Sequence, residues 1–243
     1  MERYSSFSDP VTGLNPYLRE TRRKHSFSHF FTSCLLLQVV FYLPLFIYRV
    51  LTASLVEIDE KTRSAMEKDR TKIFACTSTS AYDSYTIHKI FHNVCVFMVT
   101  PRSVFKVSKY GAYRRCSEKE ISEAKKTGRA VLFLSGGITS PKLFLDTRDD
   151  SRRYGVEKYL HISYSPESSY DIAAFGMGQE TDSDIKSLVY LFLLYITQRA
   201  PPKAKIISEE SLENLSKAAK VEIAEGMNMK TTEKFLNLFG GGR

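Results

Sequence analysis

Apolar positions fall into one long uncharged stretch near the start of the chain and a series of short runs behind it. The long stretch, residues 30–48, reads FFTSCLLLQVVFYLPLFIY and holds nineteen residues without a charge. A charged segment over residues 57–72 follows and predicts a helix bridging to a domain. Short apolar runs then recur at 72–77 (KIFACT), 94–100 (VCVFMVT), 130–134 (AVLFL), 159–163 (YLHIS) and 203–207 (KAKII), and each predicts a buried strand. Helices are predicted over 84–92, 209–219 and 231–239. Another begins at a capping box of Ser117 and Glu120 and runs to Thr127, with Gly128 as a left-handed residue past its end. The run at 188–196 (LVYLFLLYI) predicts a helix capped by Asp182 or Ser183 and ended near Gln198 by Pro201-Pro202. It is too short to span a bilayer, which leaves a core helix or a second membrane-contacting surface. Short unalternating strands separated by helices set the fold class: α/β, with a mixed or mostly parallel sheet flanked by helices.

A membrane span needs about 20 apolar residues, so residues 30–48 suffice in length, although Gln38 dilutes them and Pro44 would kink a helix. A signal peptide fits poorly: the run starts late, is long, and meets Arg49 without a small-residue cleavage pattern. A buried core helix is the competing explanation. Arg19, Arg22, Arg23 and Lys24 stand just before the run and favour an N-terminal membrane-embedded helix or hairpin. That basic flank predicts a cytoplasmic N-terminus. A full span would put the remainder in a lumen, whereas a re-entrant hairpin bent at Pro44 would keep it in the cytoplasm. These boundaries divide the chain into a basic segment (1–29), a membrane segment (30–56) and an α/β domain (57–243).

Composition narrows the classes further. The 243 residues suit one domain with an appendage, and 14 Tyr with 16 Phe supply a core that excludes wholesale disorder. Lys plus Arg exceed Asp plus Glu by 35 to 27, a net +8 that suits anionic partners. The visible basic cluster flanks the apolar run rather than the domain, so no nucleic acid is expected. Cys34, Cys76, Cys95 and Cys116 are widely spaced and predict reduced thiols, neither disulfides nor a zinc site.

In α/β sheets, ligands bind beyond the carboxyl ends of strands, and two such ends carry chemistry. One is residues 77–83 (TSTSAYD), where Asp83 could orient a base or nucleophile or else cap the next helix. The other is residues 134–142 (LSGGITSPK), where Ser135, Gly136 and Gly137 offer backbone amides beside Thr139, Ser140 and Lys142. It is a possible phosphate cradle or a simple turn, and it lacks the spacing of a Walker loop. His88 and His92 share a helix face at metal-compatible spacing but lack a third ligand nearby, so no metal is expected. His161, inside a strand, reads as a core or rim histidine. Arg102, Lys106, Lys109 and residues 110–115 (YGAYRR) form a basic, aromatic-bearing stretch, by default a solvated surface.

The order of these features resembles the glycerolipid acyltransferases that carry a His-x4-Asp motif and a later Phe-Pro-Glu-Gly-Thr motif. Within them it is similar to the divergent fungal branch, the lysophosphatidic acid:oleoyl-CoA acyltransferases also linked to vacuolar sorting. Residues 7–18 (FSDPVTGLNPYL), 76–86 (CTSTSAYDSYT), 99–108 (VTPRSVFKVS), 131–145 (VLFLSGGITSPKLFL) and 225–239 (EGMNMKTTEKFLNLF) carry the resemblance. It implies acyl transfer from acyl-CoA, as co-substrate, to a lysophospholipid such as lysophosphatidic acid. No other cofactor is implied. The setting would be the cytoplasmic side of an endoplasmic reticulum or lipid droplet membrane. It places Asp83 in the catalytic motif, with Ser78 where the family's general-base His stands and His88 as a candidate replacement. Ser135, Gly136, Gly137, Thr139 and Lys142 would receive the acceptor's phosphate, Ser135 standing where the family has Glu. Loss of both the His and the Glu opens the alternative of a catalytically inactive lipid-binding or trafficking scaffold.

Overall fold

The computed structural model describes residues 7, 35–135, 142–165, 183–198 and 201–239. In chain order its elements are α1 (Leu35–Leu51), β1 (Glu57–Ile58), α2 (Glu60–Lys68), β2 (Ile73–Cys76), α3 (Asp83–Ile90), β3 (Val94–Val99), β4 (Val104–Val107), β5 (Tyr113–Cys116) and α4 (Lys119–Thr127). Then come β6 (Arg129–Phe133), β7 (Leu143–Leu145), α5 (Arg148–Tyr154), β8 (Lys158–Ser165), α6 (Asp184–Gln198), β9 (Lys203–Glu209), α7 (Leu212–Ala219), β10 (Glu222–Ala224) and α8 (Met229–Phe239). The main sheet has the order β1-β9-β8-β2-β6-β3-β4-β5. Its middle strands, β8-β2-β6-β3, are all parallel. The strand β9 runs antiparallel to β8, and β3, β4 and β5 form an antiparallel meander at the far side. A parallel pair of β7 and β10 forms a separate small sheet. The protein is therefore α/β with a mostly parallel mixed sheet flanked by helices.

Alternation within the strands feeds two cores. In β2, Phe74 and Cys76 join the core under α1, α2, α3 and α6, while Ile73 and Ala75 join the one under α4, α5 and α8. Both faces are covered, so the central strands read as unbroken apolar runs instead of alternating ones. Helix α7 adds Leu212 and Leu215 to a cluster with Phe144, Tyr159 and Ile207 on the second face.

Helix α1 is part of this packing. Phe46 is 5% exposed and lies 5.2 Å from the Phe192 ring and 5.7 Å from Tyr195 on α6. Leu55 and Val56 are fully buried in the same core, which thus extends across the boundary expected at residue 56. Among the described residues no helix is long and apolar enough to cross a membrane. Residues 30–34 of the long apolar run and the basic cluster at 19–24 lie outside the described residues.

Three local expectations change. The charged segment over 57–72 is not one helix: residues 57–58 pair with β9, and Asp59, its side chain accepting the Thr62 amide, restarts the chain as α2. Gly128 is not left-handed but extended, at φ −167°. Glycine is required there by space, because a Cβ would press well inside contact distance of the Asn93 carbonyl oxygen. Strands β4 and β5 have no apolar run to announce them. Lys106, Arg114 and Arg115 interrupt the pattern, and pairing in register, Val104 with Cys116 and Val107 with Tyr113, defines them.

Candidate functional site

Parallel pairing in register fixes where the two strand ends emerge. Cys76 of β2 lies opposite Phe133 of β6 and Leu160 of β8, so residues 77–82 and 134–135 leave the same edge of the sheet. Ser78, Asp83 and Ser135 are thereby brought to one edge, and all three are buried. Lys142, just before β7 of the separate small sheet, is exposed. Gly136, Gly137, Thr139 and Ser140 lie outside the described residues.

Asp83 is the first residue of α3 and is 1% exposed. Its carboxylate turns backward: Oδ2 accepts the Thr79 amide at 2.6 Å and the Ser80 amide at 2.9 Å. It thus pins the turn between β2 and α3 instead of capping the helix, and the cap residue Tyr82 makes no side-chain cap bond. The other oxygen, Oδ1, accepts no hydrogen bond of ordinary geometry. Burial pushes the Asp83 carboxyl up to about 7, against the opposing pull of the Ser80 and Thr79 amides and of the nearby Tyr164 hydroxyl. The surroundings respond in kind. Burial and the Asp83 charge together push the Cys76 thiol and the Tyr164 phenol well up, and Tyr113 up to about 12. Tyr164 bonds Thr86 Oγ1 at 2.9 Å, which ties β8 to α3 across the site.

His88 is not turned toward this carboxylate. Five positions along a helix set two side chains about 140° apart. Its Nδ1 donates to the Ser84 carbonyl at 2.8 Å, and burial, with Lys109 and Lys106 adding, lowers its pKa despite that bond. His92 lies 3.7 Å from Glu67 at the surface. Among the described residues no group of three or more His, Cys, Asp or Glu side chains is arranged to hold a metal ion.

The histidine that does reach the carboxyl edge is His161 on β8. It is 3% exposed, packs edge-on against Phe144 at 4.9 Å, and shares a 3.0 Å hydrogen bond between Nδ1 and Thr77 Oγ1. Burial lowers its pKa to about 4, so it is neutral at physiological pH. Thr77 also lines a cavity of about 20 Å³ with Ser135, Leu145, Thr147 and Leu212. A space of that size holds one water and no acyl chain. This cavity lies on the α7 face, whereas Asp83 lies on the α3 face. Sequence reasoning placed His161 in the core or at its rim but could not pair it with Thr77. That pairing depends on the β2–β8 register, which joins residues 84 positions apart.

No protein-family model, curated protein or solved structure matches the chain.

Proposed function

We propose that this protein transfers an acyl chain from acyl-CoA to a lysophospholipid at the cytoplasmic face of a membrane, with Asp83 as the reacting base. The observation that carries the proposal is the Asp83 carboxyl itself. It stands at the carboxyl edge of a parallel sheet and keeps Oδ1 outside the two amide bonds that pin the turn, with the Tyr164 hydroxyl close by. Burial pushes it up to about 7, where a general base works best. In this scheme the acceptor hydroxyl gives its proton to Asp83 Oδ1 as its oxygen attacks the thioester carbonyl. The carbon–sulfur bond then breaks, and the leaving thiolate takes that proton and departs as CoA thiol. Ser78 occupies the place of the family's histidine and cannot serve as base, since a serine hydroxyl has no usable pKa. Opening of residues 77–80 must admit the acceptor, because Oδ1 is buried.

A second reading draws on the other carboxylate oxygen. The two amide bonds to Oδ2 hold the turn between β2 and α3 shut, as a purely structural residue would. On that reading the protein is an inactive lipid-binding or trafficking scaffold. Release of free CoA thiol from oleoyl-CoA and lysophosphatidic acid in vesicles separates the two. Acceptor-dependent release that falls about 10²–10⁴-fold in Asp83→Asn supports acyl transfer, because the Asn amide oxygen can still accept the Thr79 and Ser80 amides while the base is lost. Absence of acceptor-dependent release from the parent protein leaves the scaffold.

A further inference from the structure

Among the described residues, every exposed large hydrophobic side chain lies on α1 or α6. Leu43, Ile47 and Leu51 recur at four-residue spacing on α1, and Ile185, Val189 and Leu193 do so on α6. Such spacing sets each trio in one stripe. Leu45 and Tyr48 widen the exposed face of α1, and each helix commits its remaining side to the domain. Phe46 packs on Phe192 and Tyr195, while Leu191 and Tyr195 are fully buried. Two helices that lie against each other thus turn their apolar backs outward together. We propose that α1 and α6 form a single plate that lies flat in the interfacial layer of an anionic membrane, docking the protein from one side without spanning.

Anchoring favours the flat arrangement: standing upright in a bilayer would strip Phe46 from the domain core, where it packs on Phe192 and Tyr195. Charge favours lipid over a protein partner. Helix α1 has no acidic residue, and its one cation, Arg49, bends back over the Tyr195 ring at 5.8 Å. Helix α6 has a single acid, Asp184, which accepts the Ser108 hydroxyl, while Lys186 projects beside the stripe. The chain carries +8 overall, and four of its cations stand just before the apolar run. An amphipathic surface of this kind buries roughly 5–10 Å into the headgroup and acyl boundary. The plate rests on the proposed membrane location and not on acyl transfer, which thiol release tests separately.

The chain contains no Trp, so each of Leu43→Trp, Ile47→Trp, Leu51→Trp, Val189→Trp and Leu193→Trp carries a unique fluorophore. The full-length variants are mixed with phosphatidylcholine–phosphatidic acid vesicles holding lipids brominated at defined chain depths. All five positions are exposed, so a larger side chain does not disturb the core. The plate requires quenching at all five, strongest for shallow bromines and equal in depth across both helices. Depth that increases steadily along α1 with no quenching on α6 would show a span and overturn the plate. No quenching anywhere also overturns it and assigns the face to protein: a second copy if sedimentation shows a dimer, the chain's own N-terminal segment if it shows a monomer. As a quantitative check, Ile47→Glu and Val189→Glu should each weaken vesicle partitioning about tenfold or more.

Discussion

Two buried residues, Asp83 and His161, sit on opposite faces of the sheet and titrate in opposite senses. Asp83 has a folded pKa near 7, above its ordinary 3.8, so its contribution to stability is complete below about pH 4 and is lost as pH rises to 7. His161 has a folded pKa near 4, below its ordinary 6.5, so it favours the folded state increasingly as pH rises from 4 to 6.5. At pH 5 the folded chain holds the proton on Asp83 and the unfolded chain holds one on His161, so the two slopes cancel. The parent protein should therefore show a nearly flat contribution from this pair between pH 4 and 6.5. Asp83→Asn should unmask a rise of about 3 kcal/mol over that range, and His161→Gln a fall of similar size. Tm measured against pH checks both, and two variants with slopes of the same sign would refute the assignment. Asp83 was legible in the sequence as a residue at a strand end. The direction of its carboxylate was not, because a first-turn Asp usually bonds forward into its helix, whereas here residues 79 and 80 fold back over it.

Helices and strands with a one-sided local signal were legible as elements. The cores of β2, β3, β6 and β8 sit where apolar runs place them, since strands covered on both faces need apolar side chains at consecutive positions. Strand β9 also forms at its expected place but alternates, with Lys203 and Lys205 exposed and Ala204 and Ile206 buried. Elements defined by pairing were not legible: β4 and β5 carry Lys106, Arg114 and Arg115, and β1 has only two residues. Gly128 shows how one residue can be right for another reason. It ends α4 as expected, yet the chain needs glycine because Asn93, at the start of β3, passes directly over it. Gly128→Ala should therefore cost about 1–3 kcal/mol in urea denaturation, as overpacking against backbone does. A cost of only a few tenths would mean that the 93 and 128 backbones separate easily. Phe46→Ala tests the seating of α1 in the same assay. Truncating a buried phenylalanine should cost about 3–5 kcal/mol, whereas an α1 that merely tethers the domain would leave stability unchanged.

At the scale of the whole molecule, the central parallel strands deliver residues 77–83 and 134–135 to one edge while α1 and α6 cover one face. Both helices lead into strands, β1 and β9, whose first residues pair with each other, and β9 starts opposite Ser165 at the carboxyl end of β8. The apolar plate therefore reaches the edge that holds Asp83, an arrangement suited to substrates that arrive from a bilayer. The α/β class, the buried strands, the two chemically marked strand ends and the apolar character of residues 35–51 and 188–196 were determined by the sequence alone. Each is a local property, written in apolar runs, turn residues and charge placement over a few consecutive positions. Only the tertiary structure decided that α1 packs into the domain core against α6, that Asp83 and His161 occupy opposite faces, that Thr77 meets His161, and that both apolar helices keep exposed hydrophobic side chains. These facts depend on strand order, register and helix packing, which join residues many positions apart and leave no signature in any single stretch of chain.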